Sequence, residues 1–118
     1  MIGADPDTGS LAVGTMVEPG QIVRLHARDA RSADEDLRRV LRLQVDALAD
    51  RSPVGALVFS CNGRGRAMFG APDHDAALVH RELAGAPAAG FFAAGEIGPV
   101  GSRSYLHGFT ATVALFPG

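Results

Sequence analysis

The sequence contains no lysine and no tryptophan, and only one cysteine and one tyrosine. Each shortage removes a class of chemistry. Without lysine there is no Schiff-base nucleophile, and all eleven basic residues are arginine. A single cysteine, Cys61, cannot build an internal disulfide framework or, by itself, a thiolate metal site, which fits a reducing cytoplasm. Aromatics are 6% of residues, so stacking platforms for bases or sugars are poorly supplied. Basic charge is not in excess: the net charge is −2 and 20% of residues are charged. Neither nucleic acid nor an acidic membrane surface is expected as a partner. No apolar run approaches the roughly 18 residues of a membrane span, and Met1-Ile2-Gly3-Ala4-Asp5-Pro6 has neither a charged leader nor an apolar h-region. The expectation is a soluble, cytoplasmic protein.

What is present is one domain's worth of patterned chain. The 118 residues are enough to bury a core without staples. Residues 1–9 read as a mobile segment ahead of a single domain over 10–118. Leu11, Val13, Thr15 and Val17 alternate at period two, as do Val23, Leu25 and Ala27. Between them Glu18-Pro19-Gly20-Gln21 suits a type II turn, so a hairpin is expected, with Arg24, His26 and Arg28 on its polar face. Ser32-Ala33-Asp34-Glu35 has the form of a capping box, and Leu37, Val40, Leu41, Val45 and Leu48 then recur at helical spacing up to the stop at Pro53. Asp34 to Arg38 and Glu35 to Arg39 are i,i+4 pairs on its solvated face. The run Gly55 to Ser60 suits a central strand covered on both faces. A second helix is expected from Asp73 to Leu83, a strand from Ala88 to Ala94, a glycine and proline loop from Gly95 to Ser104, and a last strand through Phe116. The order ββαβαββ predicts an α+β fold: a two-layer sandwich with a mixed sheet of about five strands and two helices.

Five features are weighed for chemistry. Cys61 follows the central strand, where open α/β sheets place their ligand crevice, and is either a nucleophile or a packed core thiol. Asn62-Gly63-Arg64-Gly65 lets backbone N–H groups and a guanidinium approach a carboxylate or small phosphate; the alternative is a turn with solvated arginines. Asp73-His74-Asp75 reads as helix capping, since adjacent helical residues cannot close around one metal. His80 reads as a boundary residue. Glu96 is the sharpest feature, because a carboxylate at the end of an apolar strand must be paired, hydrogen-bonded or kept wet. Either it locks its loop, through backbone N–H groups or Arg103, or it belongs to a site with His107.

Several separated blocks resemble the C-terminal FIST domain of F-box and intracellular signal transduction proteins. They are Val58 to Gly65, Met68-Phe69-Gly70 with Asp73-His74-Asp75, Gly90 to Pro99, and Leu106 to Thr110, with weaker matches at Asp5 to Gly9 and Arg28-Asp29. The resemblance implies a sensory module for small ligands such as amino acids. It also implies an N-terminal FIST domain as partner, since these residues look like the C-terminal domain only. The expected ligand set is Asn62, Gly63, Arg64, Gly65, Glu96 and His107, with Glu96 receiving an ammonium and Arg64 a carboxylate. No cofactor or metal is expected. The competing readings are a thiol-dependent hydrolase or transferase using Cys61 with His107 or Glu96, and a structural interaction domain or homodimer.

Overall fold

The computed structural model describes residues 2–24 and 28–118. The fold is α+β. Strands β1 (Gly3–Asp5) and β2 (Ser10–Ala12) pair as a short antiparallel hairpin. The Asp5 side chain closes it, accepting from the Asp7 N–H (2.9 Å) and the Thr8 hydroxyl (2.8 Å). The expected later hairpin is not formed by residues 13–24. The turn itself closes, with the Gln21 N–H on the Glu18 carbonyl at 3.2 Å, but Val13, Val17 and Val23 are exposed and unpaired among the described residues. Alternation makes a strand only where a neighbour supplies a ladder and a face to cover. Leu25, His26 and Ala27 lie outside the described residues.

Helix α1 (Ala30–Asp46) starts at Asp29, three residues before the expected cap. The Asp29 carboxylate accepts from the Ser32 N–H (2.9 Å) and the Ser32 hydroxyl (2.8 Å), so Ser32 serves the cap instead of being it. Leu37 and Leu41 are its buried face. Of the expected pairs, Asp34–Arg38 forms (2.9 Å), while Glu35 is held by Arg31 and Arg39 turns to Asp36.

Strand β3 (Pro53–Cys61) is central to a three-stranded sheet with order β4–β3–β7. A 3₁₀ turn (Asn62–Arg64), α2 (Arg66–Phe69) and α3 (His74–Glu82) form the crossover to β4 (Ala88–Ala93). β4 lies parallel to β3, in register from Ala56 opposite Ala88 to Cys61 opposite Ala93. The α3 chain stops as expected at Gly85, whose N–H reaches the His80 carbonyl (2.9 Å). Glu82 ties the helices together, receiving Arg38 (3.0 Å) and Arg42 (2.9 Å) from α1.

The end of the chain differs from the five-strand expectation. Glu96–Val100 (β5) and Arg103–His107 (β6) form their own antiparallel hairpin, closed by Gly101 and Ser102. Gly101 has φ +62 at the first central position, the φ sign that a type II′ turn requires there. The long final strand is broken at Gly108 and Phe109, where Phe109 has φ +63. Residues after the break form β7 (Ala111–Pro117), antiparallel to β3. The helices pack on the sheet face that carries Ala56, Val58, Ala111, Val113 and Leu115, and the core joins Leu37, Leu41, Leu78, Val79 and Leu83 there. The other face, with Leu57 and Phe91, stays open, so β3 is not covered on both sides.

Candidate functional site

The parallel pairing of β3 and β4 brings the Cys61 loop and the turn before Glu96 to the same end of the sheet. Phe109 and Thr110 join them. The Cys61 N–H donates to the Thr110 carbonyl (2.9 Å), Arg64 Nη1 donates to the Phe109 carbonyl (3.5 Å), and the Thr110 hydroxyl donates to Glu96 Oε2 (2.7 Å). Sequence reasoning missed both residues as site members. Their signal is the block Leu106 to Thr110, which the family resemblance includes, with Gly108 as a strand breaker inside it.

Glu96 is 2% exposed, and its Oε1 has no hydrogen-bond partner among the described residues. The Thr110 hydroxyl donates to its Oε2, and among the described residues Arg103 makes no bond to Glu96. A buried carboxylate oxygen left without a donor is costly, since most buried polar atoms in folded proteins are satisfied. His107 is the register partner of Glu96 on β6, and its Nε2 lies 3.0 Å from the Gly98 carbonyl. Gly98, His107 and Thr110 all line an open cleft of about 900 Å³ between α1 and β7. Leu37, Leu41, Val113 and Leu115 give that cleft an apolar floor, and Arg28 stands at its rim over the Phe109 ring, 4.1 Å from the centroid.

Arg64 is buried rather than solvated, and it is already paired. Its guanidinium forks onto Asp75, Nε to Oδ2 at 2.7 Å and Nη2 to Oδ1 at 2.9 Å, and Nη2 also reaches the Ala33 carbonyl (3.4 Å). Asp75 therefore does more than charge the first turn of α3. It receives the Ser60 hydroxyl (2.9 Å) and His74 Nδ1 (3.0 Å), while His74 Nε2 lies 3.0 Å from Asp34 and its ring stacks on Phe69. Burial opposes the charged form of Asp75, but the bonds from Arg64 and His74 outweigh it and hold the carboxyl below its ordinary range. Asp73 occupies the N-cap position of α3 without a side-chain capping bond, and His80 is exposed.

The glycine loop is a packing device. A Cβ on Gly63 would overlap the Phe109 ring, so glycine at 63 is what lets Phe109 close over the Arg64 turn. Gly65 supplies the carbonyl for the Met68 and Phe69 N–H groups, and Asn62 is exposed. Cys61 is buried at the end of β3, and the recorded side-chain partners of His74 and His107 are Asp75, Asp34 and the Gly98 carbonyl. Iodoacetamide at neutral pH is expected to label native Cys61 at least about tenfold more slowly than the unfolded chain, because burial shields the sulfur from the reagent. Labelling at the unfolded rate or faster would return Cys61 to the list of nucleophiles.

Among the described residues no helix is long and apolar enough to cross a membrane. The family model described as the FIST C domain matches residues 1–99. The uncharacterized protein Rv0628c of Mycobacterium tuberculosis (strain ATCC 25618 / H37Rv) is 53% identical over 116 residues, which is 98% of this chain and 30% of that protein. The uncharacterized protein Mb0898c of Mycobacterium bovis (strain ATCC BAA-935 / AF2122/97) is 53% identical over 119 residues, with the same two shares. The chain thus spans about 30% of the length of the curated relatives it matches. No solved structure matches it significantly.

Proposed function

Because the chain belongs to the FIST C domain family, a family of signal-transduction sensory domains, we propose that it is the ligand-binding part of a sensor for an amino acid or similar small polar metabolite, acting with an N-terminal FIST domain. One observation carries the reading: the buried Glu96 carboxylate has one oxygen bound by Thr110 and the other unmatched among the described residues, and Thr110 itself lines a cleft of ligand size. An ammonium group supplies the missing donor and the charge together. The ligand's carboxylate then falls to Arg28 at the rim, because Arg64 is spent on Asp75. Asn62, Gly63, Arg64 and Gly65 support the site by holding Phe109 and Thr110 in place, and His107 walls it.

Calorimetric titration of an amino-acid panel, against this chain alone and joined to an N-terminal FIST domain, tests the proposal. At least one member is expected to bind, and Glu96→Gln is expected to weaken it about tenfold or more, the worth of a hydrogen bond to a charged group. No binding by any member, or unchanged affinity in Glu96→Gln, overturns it.

A further inference from the structure

The central sheet is finished on one side only. Leu57, Phe59, Ala89, Phe91, Ala114 and Phe116 occupy the face opposite the helices, and no charged residue interrupts them. Phe91 is 64% exposed, Phe116 47% and Leu57 39%. The Phe59 and Phe91 rings meet edge to face at 5.2 Å, so the patch is held in shape rather than scattered. The same strand that carries Phe91 is also a bare edge. β4 pairs only with β3 among the described residues, and its sequence Ala-Ala-Gly-Phe-Phe-Ala has no charge, no proline and no bulge. Exposed edges in native proteins are normally blunted by one of those devices, and an unblunted apolar edge is a template for another strand.

We propose that this face and the β4 edge are the seat of the remainder of a longer polypeptide, which adds a strand along Ala88–Ala93 and buries Leu57, Phe91 and Phe116. Three observations select that occupant. Relatives 53% identical over 98% of this chain devote about 70% of their own length to other sequence, the complement of the 30% matched. The chain is not compact: its radius of gyration is 17.2 Å, against about 13–14 Å for a self-contained domain of this length. The uncharged composition is that of a permanent interface, which resembles a core cut in two, rather than of a transient contact. The inference rests on the foregoing reading only for the second domain, and its test involves no ligand, so either can fail without the other.

Hydrogen exchange followed by mass spectrometry, on this chain alone and within the longer polypeptide, reads the edge directly. The N–H groups of 88–93 that do not bond to β3 are expected to exchange at least about 100-fold more slowly in the longer polypeptide, at all protein concentrations. Phe91→Asp, at an exposed position, is expected to leave the melting temperature of the chain alone within a few degrees and to abolish that protection. Equal exchange of 88–93 in both contexts overturns the proposal. Protection that fades on dilution also overturns it, because it assigns the edge to a second copy.

Discussion

Asp75→Ala is expected to cost about 3–5 kcal/mol, the penalty for leaving a buried charge without its partner. Arg64 and Asp75 are each 5% exposed, so the guanidinium left behind would be largely buried without its counter-charge. Against a total stability of about 5–15 kcal/mol, that loss leaves a marginal fold, visible as a large drop in the urea midpoint. Asp75→Asn fares little better, because the amide keeps the shape but not the charge. The double variant Arg64→Met with Asp75→Leu recovers most of the loss, since removing both ions removes the desolvation penalty as well. A single Asp75→Ala variant within about 0.5 kcal/mol of the parent chain would show that the pair does not hold the Cys61 loop to α3. The pH dependence has a definite sign. The folded carboxyl lies below its unfolded value of about 4, so its contribution is fully present above that pH and is lost as pH falls through the lowered folded value. Asp34, held down by Arg38, and Glu82, held down by Arg42, add to the same acid-side loss. Melting temperatures taken from pH 6 downward should fall, and fall less steeply in the double variant.

That pair also marks where sequence reading stops. The parallel register of β3 and β4 came only with the structure, but the order of β3, a crossover helix and β4 was legible as an apolar run, a helical segment and a second apolar run. So was the α1 stripe of Leu37 and Leu41, whose spacing is local. Arg64 was not, since a glycine on either side looks like a solvated turn until α3 folds back and presents Asp75 eleven positions later. Pairing of this kind depends on tertiary placement, which no spacing rule encodes. Residues 11–17 show the opposite failure: a strand period with no neighbour among the described residues to pair it beyond Ala12. Glu96 lies between the two cases. Its need for a partner was readable from a carboxylate after an apolar strand, yet Thr110, fourteen residues on and past a broken strand, was not.

Leu78→Ala is expected to cost about 2–5 kcal/mol, in the range for emptying a fully buried leucine site. Leu78 lies on α3 at 2% exposure, enclosed by Leu37, Leu41, Val79, Leu83 and Ala56. Because this cluster is the packed core and the opposite sheet face is open, little other apolar burial is available to absorb the loss. Leu37→Ala should fall nearer the lower end: Leu37 also lines the cleft beside α1, where neighbours can relax into the space or water can enter it. Leu43→Ala, on the exposed side of the same helix, should stay within about 0.5 kcal/mol. The order Leu78, Leu37, Leu43 in urea midpoints at constant slope therefore maps the boundary between core and cleft. Equal losses at Leu78 and Leu43 would mean that α3 does not pack where the sheet and α1 place it. A Leu37 loss as large as that at Leu78 would mean instead that the cleft closes in solution, and Thr110, which holds Glu96, would then have no ligand space to line.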